Sequence, residues 1–550
     1  MFRESTTKRI GVLVSISVFL VTIVVSPLTT LDPINLPKFW ALVAFSFAIS
    51  GVLLLEAKVL FGRSNWQIVI PARLISIIML IVLFVSGAPF AQQLFGTSGR
   101  NTGFLTYFAY GTLFIASAIA TNWSMAKYFM VAVAGALGVN AIYGFFQAMG
   151  KDPFKWANPY SPVIGTLGNP NFSAAFLGMG VAFTLPLILS KSTNIKYRIL
   201  SCVYILFAIY DILKSDAQQG LIVSALSVGL VGFFWLRSKV KNPVIKYGYL
   251  ALGGIATLVG ILGTLQKGPL SSLLYKPSVT YRGDYWHAGL VMIKNHPWFG
   301  VGLDSFGDWY RTSRTLAATV RRGPSTVSNA AHNVFIDIGA TAGIFALIAY
   351  LAVVFLGFRA MWRISKKMQN FDPFIIAIFV AWVGYLVQSV ISINNIALGI
   401  WGWVLPGLLI GIERWSKMEK PRPKSVNDFS SMAMIAGFVV GGVIGFFPIN
   451  ADANFRHSIE AGDANLINTA ATKWPQTPDR LLYAAKIFDQ NKMSDKALKF
   501  ARDAVKLNPR NFDALYYIYN APSTSGNEKR EILDRLKVLD PHNPDLAKLG

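Results

Sequence analysis

The segment richest in chemistry lies between residues 266 and 333, which hold eight basic residues, three acidic residues and three of the chain's five histidines. It runs through Tyr281-Arg-Gly-Asp-Tyr-Trp-His and His296-Pro-Trp-Phe-Gly-Val-Gly, passes Arg311, Arg314, Arg321 and Arg322, and closes on Ala331-His-Asn. A guanidinium is a planar fork that grips phosphate oxygens at two points and keeps its proton. Arg282, at the base of an amphipathic stretch, is placed to hold a lipid diphosphate; snorkelling toward ordinary phospholipid head groups is the plainer use of the same side chain. His332 directly precedes a long apolar run, with Ser328, Asn329 and Asn333 available as caps. A helix amino terminus disfavours imidazolium, so a neutral ring there can accept a proton from a hydroxyl, or simply cap the helix.

Three shorter loops carry polar groups of the same kind. Gly96-Thr-Ser-Gly-Arg-Asn-Thr-Gly exposes Arg100 among flexible residues, and Gly168-Asn-Pro-Asn offers Asn169 or Asn171 as a cap with Pro170 in the first turn. Free amides at that end suit an anionic oxygen. The third, Lys214-Ser-Asp-Ala-Gln-Gln-Gly, brings Lys214 and Gln219 to a tight turn. HExxH, GxSxG, P-loop and Asp-rich cation motifs do not occur in the membrane half, so no metal and no other cofactor is expected. Paired carboxylates would have to come from Asp152, Asp211, Asp216, Asp284, Asp304 and Asp308, which are scattered.

The elements that must position these groups are membrane helices. With 53% hydrophobic and 14% charged residues over 550 positions, the chain is too apolar for a water-soluble globule of this size. Of the 51 bases and 27 acids, 36 and 14 fall in residues 1–450, so the positive excess belongs to the membrane part. That placement speaks for membrane lipids and anionic head groups as partners, and against nucleic acid. The lone Cys202 excludes disulfides within the chain. The first apolar run lacks a convincing cleavage site and reads as a retained span.

Apolar runs of about 20 residues occur near 10–27, 39–56, 73–90, 104–121, 128–149, 172–190, 198–213, 219–236, 247–265, 334–358, 373–391, 395–412 and 431–449. The predicted fold is all-α: a polytopic transmembrane helical bundle of about 12–13 spans with a small C-terminal soluble α-helical repeat domain. Alternate loops hold 23 basic residues, from Arg3, Lys8 and Arg9 to Lys417, Lys420, Arg422 and Lys424, whereas the opposite short loops hold only Lys38, Arg100, Lys151, Lys155 and Lys214. Basic loops stay cytoplasmic. The amino terminus is therefore expected in the cytoplasm, with the 266–333 loop and the C-terminal domain outside. Residues 1–430 form the expected membrane domain, 431–450 its last span, and 451–550 the tail. Within 284–295, Trp286, Leu290 and Ile293 share helical spacing, which predicts an interfacial helix broken by Pro297, Gly300 and Gly302.

In the tail, Pro475 and Pro509 lie one tetratricopeptide period apart, with Ala485, Ala497 and Ala504 at close-packing positions. Two such units are fewer than a free solenoid needs, so the tail is expected to pack on the membrane domain or on a protein partner.

At these residues the chain resembles the O-antigen ligase and O-antigen polymerase superfamily of membrane glycosyltransferases. The resemblance rests on Arg282-x-x-x-Trp286, His296-Pro-x-x-Gly-x-Gly302, Ala331-His-Asn, Gly168-Asn-Pro-Asn and Gly96-x-x-x-Arg-x-x-Gly103, and covers roughly residues 70–415. It implies metal-independent transfer of a glycan from a polyprenyl diphosphate carrier to a polysaccharide, lipid or protein acceptor, with inversion at the sugar. Arg282 would hold the diphosphate and His332 would orient or deprotonate the acceptor. Arg100, Asn169, Asn171, Lys214, Gln219, Arg321 and Arg322 would complete substrate binding. Ligases of this family carry an arginine in a Ser-Arg-Gly turn; here the turn reads Ser215-Asp-Ala-Gln-Gln-Gly, and Lys214, Arg100 or the Arg321–Arg322 pair would have to replace its charge. A polymerase, a transporter and a non-catalytic envelope scaffold are the competing readings. Spans nearly free of charge, with polar groups at their outer ends, favour interfacial chemistry over transport.

Overall fold

The computed structural model describes residues 4–156, 161, 163–415 and 429–549; Arg3, Lys417, Lys420, Arg422 and Lys424 of the orientation argument lie outside them. Among the described residues the fold is all-helical, and eleven helices are long and apolar enough to cross a membrane. Counting helices of seven residues or more, the first half comprises α1 (Glu4–Ile23), α2 (Asn35–Leu55), α3 (Trp66–Val85), α4 (Phe104–Ala120), α5 (Trp123–Ala148), α6 (Pro170–Leu189), α7 (Ile195–Lys214), α8 (Gln218–Lys239) and α9 (Pro243–Thr264). The large loop contributes α10 (Pro277–Asn295), α11 (Phe306–Ser313) and α12 (Leu316–Arg322), followed by α13 (Val334–Lys367), α14 (Pro373–Ile391), α15 (Ile396–Trp415) and α16 (Ser430–Ala461). Two of the thirteen expected spans fall short of the other eleven, one by length and one by charge. Helix α4 has 17 residues, and α7 carries Lys196, Arg198, Asp211 and Lys214 within its 20.

Helix starts follow local chemistry. Asn169, Asn194, Asn242, Asn333 and Asp372 each accept a backbone N–H of the turn they open, and Pro170, Pro243, Pro277 and Pro373 occupy first-turn positions where no N–H is needed. Helix α15 runs through the middle of the bundle. Its Trp401 and Trp403 are fully buried, Trp403 stacking on Tyr110 of α4 at 5.9 Å between ring centroids. Helix α16 lies along α2 through Gly437, Gly441 and Gly445, against Phe47, Val43 and Trp40, and Trp40 donates to the Gly442 carbonyl at 3.0 Å. Small residues let the two backbones approach, which is how helices attract one another where lipid offers no hydrophobic drive.

The loops segregate to two ends of the bundle, as the alternating charge pattern predicts. At one end Arg237 donates to the Ser365 carbonyl, Arg359 to Gln67 and Arg414 to Asn65. At the other end the 266–333 loop and the turn around Leu31 meet the C-terminal tail, and Asn35 donates to the Gly99 carbonyl in the turn around Arg100. Lys38, counted among the sparse bases of that end, is fully buried and donates to the Thr22 and Val24 carbonyls at the close of α1. There it complements the negative end of the helix.

Helix α13 is broken at Gly343, whose φ of 84° lies in the left-handed region and whose missing Cβ leaves room for the Trp298 carbonyl. The segment 297–302 plugs the break. Val301 and Gly302 donate to the Ala340 and Thr341 carbonyls at 2.9 and 3.1 Å, and Ile344 donates to the Pro297 carbonyl at 2.8 Å. Gly300, at φ 65°, passes against Ala340 and Thr341 with no space for a side chain. The His296-Pro-x-x-Gly-x-Gly stretch thus satisfies a kinked helix, and in doing so fixes the short helical segment that begins just after His332.

The tail continues from α16 without a linker at residue 450, since that helix runs on to Ala461. It then forms α17 (Ala464–Ala471) and two helical hairpins, α18 (Pro478–Gln490) with α19 (Ser494–Leu507) and α20 (Phe512–Asn520) with α21 (Gly526–Leu539). Ala485, Ala497 and Ala504 are fully buried between these helices. The tail packs on the membrane domain. Asp540 receives Arg314 at 2.7 Å and Arg311 at 3.2 Å, all three groups buried, and Arg510 stacks over Trp309 at 3.5 Å.

Candidate active site

Helix α10 begins at Pro277, about two turns before the predicted amphipathic stretch, and sets Tyr281 and Tyr285 one turn apart with Arg282 beside Tyr281. Its buried face is Tyr285, Ala288, Gly289 and Met292; Leu290, predicted to share an apolar face, is 55% exposed. The reason is that α10 packs on α11 and α13 rather than lying free at an interface.

Arg282 donates through Nε to the Ile391 carbonyl at the end of α14, 2.7 Å away, and through Nη1 to Ser278. A guanidinium has five N–H donors, and the two on Nη2 have no protein partner among the described residues. Arg322 sits over the Tyr281 ring at 4.6 Å and hydrogen-bonds the Tyr285 hydroxyl. Tyr285 in turn stacks on His332, with ring centroids 4.9 Å apart. His332 adopts φ 52° immediately before the Asn333 cap of α13, and its carbonyl accepts from Trp286 at 3.4 Å. Burial, with Arg282, Arg100 and Arg322 nearby, pushes the imidazole down to about 3. The ring is neutral at any physiological pH.

Of the loop's five arginines, three are already neutralised. Arg314 is held by Asp540, Arg311 by Asp540 and Asp513, and Arg321 by Asp284 at 2.6 Å. Arg282 and Arg322 have no carboxylate within ion-pair distance among the described residues, and burial lowers Arg282 from its usual value. They flank His332 and Tyr285. The site therefore presents two uncompensated guanidinium groups beside one neutral imidazole.

The other predicted residues are placed as follows. Arg100 is 4% exposed and lies behind His332, between Asp304 at 3.3 Å and Asp337 at 3.3 Å, and it donates to the Asn329 carbonyl. It faces the back of the histidine's segment, not an open surface. Asn169 caps α6 through the Asn171 amide at 2.9 Å, a local arrangement with no contact to Arg282 or His332 shown. Lys214 lies over the Tyr210 ring at 5.7 Å, and Gln219 is buried with both amide atoms unpartnered. A second cation beside that turn is Lys276, whose ammonium pairs with the Asp216 carboxylate at 3.3 Å. Lys276, Tyr281 and Tyr285 escaped the sequence reading. The Arg322 and Tyr285 pair stands 37 residues apart, and only a run of tyrosines at 281 and 285 could have hinted at a guanidinium platform. No group of three or more His, Cys, Asp or Glu side chains among the described residues could hold a metal ion.

Fold and site together define a polytopic helical membrane protein with a cationic, histidine-bearing site at one end of its bundle. Residues 200–351 match the family model described as O-antigen ligase, a stretch from α7 to α13 that includes Gln219, Arg282, Arg321, Arg322 and His332. The match covers just over a quarter of the chain and supports an O-antigen ligase type of membrane enzyme. No curated protein matches the sequence.

Proposed function

We propose that the chain transfers a glycan from a polyprenyl diphosphate carrier to an extracytoplasmic acceptor, without metal or nucleotide. The observation that carries this reading is the pair of unpaired guanidinium groups, Arg282 and Arg322, flanking a neutral His332. The donor's diphosphate lies against Arg282 Nη2 and Arg322. An acceptor hydroxyl near His332 attacks the anomeric carbon from the face opposite the leaving group. The new C–O bond forms as the bond to the diphosphate breaks, the electron pair leaves on phosphate oxygen held by the two arginines, and the hydroxyl proton passes to the imidazole. Tyr285 holds Arg322 and His332 in register. The Lys and Arg pattern supports placing this end outside the cell, with the amino terminus inside.

The test is lipid and glycan composition in a strain lacking the protein. Accumulation of full-length carrier-linked glycan fits a ligase and accumulation of single repeat units a polymerase; an unchanged profile rejects glycan transfer.

The pH profile makes a second test. In the free protein His332 is already fully neutral, so kcat/KM for donor is expected to stay level from pH 7 to 5.5. An imidazole at its ordinary value would lose about eightfold over that interval. Bound diphosphate neutralises Arg282 and Arg322, two of the cations that depress the ring. The acid limb of kcat is therefore expected at higher pH than that of kcat/KM. An eightfold fall in kcat/KM over the interval would contradict the assignment.

A further inference from the structure

The site above does not use the seam between tail and membrane domain, where a cavity of about 440 Å³ opens between the turn at Leu31, the loop 95–101 and the tail from Pro448 to Tyr483. That volume falls in the range of about 300–1,000 Å³ usual for small-molecule sites. A second chamber of about 180 Å³ adjoins it, sharing Ser98 and Asp479, and reaches Asn329, three residues before His332.

The lining has the makings of carbohydrate recognition. Asn101 is 2% exposed, and its side-chain oxygen has no hydrogen-bond partner; the buried Oδ2 of Asp32 is likewise unpartnered. Both residues line the larger cavity, with Asp452 and Asp479 beside them. Unsatisfied buried acceptors call for a donor, and sugar hydroxyls are donors in fixed rows. Tyr483, 47% exposed and resting edge-on against Phe455 at 5.8 Å, offers an aromatic face of the kind that pyranose C–H groups cover. The second chamber adds Asp304 and Asp308. Arg480 also lines the larger cavity and Asp304 is paired with Arg100, so against the net charge of +24 for the chain the pathway keeps only a modest acidic excess, from Asp32, Asp452, Asp479 and Asp308. That excess disfavours phosphate here, whereas Arg282 attracts it, so the two ligands of a transfer reaction differ in the charge that receives them.

We infer that the cleft between the tail and the membrane domain binds an uncharged glycan chain, the acceptor, and leads it through the second chamber toward His332. The role as acceptor rests on the transferase reading above; glycan binding itself does not.

Full-length protein in detergent micelles, applied to an array of neutral and acidic bacterial surface oligosaccharides, tests the cleft. Wild type and Arg282→Ala are expected to retain the same neutral oligosaccharides. Asp479→Asn and Tyr483→Ala are expected to weaken that binding by about tenfold or more. Both side chains are solvent-accessible, so melting temperatures should match wild type, and a variant that melts early is set aside for the other. Absence of any bound oligosaccharide, or binding unchanged in the intact variants, or retention of acidic glycans alone, overturns the inference. Binding that holds in a protein whose loss leaves carrier-linked glycan unchanged would refute the transferase and spare the cleft.

Discussion

Replacing Arg282 with alanine is expected to lower glycan transfer by about 10²–10³-fold in kcat, the loss seen when one preorganised group facing a developing oxyanion is removed. Three of the Arg282 donors are spent on the Ile391 carbonyl and Ser278, which orients the remaining Nη2 pair without side-chain reorganisation at the moment of reaction. Arg282→Lys should not restore the rate, since an ammonium has no fork with which to anchor at Ile391 and reach a phosphate together. His332→Ala is expected to cost about 10²–10⁴-fold. The double variant should be little worse than the poorer single one, because both act on one transition state. The measurement is transfer from purified carrier-linked glycan by reconstituted protein, alongside a check of membrane insertion. Normal rates in both single variants would remove these residues from the mechanism.

The second large effect is structural. Arg314 and Asp540 are both buried, 2.7 Å apart and separated by 226 residues, and they join the loop that carries the site to the last helix of the tail. Removing one partner of such a pair strands the other charge and costs about 3–5 kcal/mol, whereas replacing both with apolar residues of similar size is often neutral. Asp540→Ala should therefore release the tail, because it strands Arg314 and takes from Arg311 its buried partner: protease cleavage between α16 and α21 accelerates, and transfer falls with it. Arg311→Met and Arg314→Met combined with Asp540→Leu should restore protection. If Asp540→Ala leaves the tail as resistant as wild type, this cluster does not hold the two parts together.

This docking explains why a loop so rich in arginine presents so few to a ligand. Its eight bases read as one anion-binding surface when the loop is taken alone. Asp540, Asp513 and Asp284 neutralise three of the five arginines, and the charge left over is concentrated at Arg282 and Arg322. Arg100 underwent the opposite change of meaning. Its flexible, glycine-flanked turn suggests an exposed cation, yet Asp304 and Asp337 draw it inside, where it braces the Asn329 carbonyl and adds to the field on His332.

What the sequence by itself determined is whatever depends on neighbours along the chain. Hydrophobic runs of membrane-spanning length specified the bundle, because backbone groups in hydrocarbon must pair within a helix. Asn169 with Pro170, and Asn333 beside His332, marked helix starts through hydrogen bonds that span two or three residues. Alternating Lys and Arg sorted the loops into two sets that the fold places at opposite ends. Tertiary structure alone decided which arginines are free, since their carboxylate partners lie from 37 to 237 residues away. It also decided what Gly300 and Gly302 are for, because the broken helix they satisfy begins more than thirty residues later. The cleft at the tail belongs to no single segment. Its walls come from three distant stretches, and a cavity between surfaces exists only once those surfaces have met.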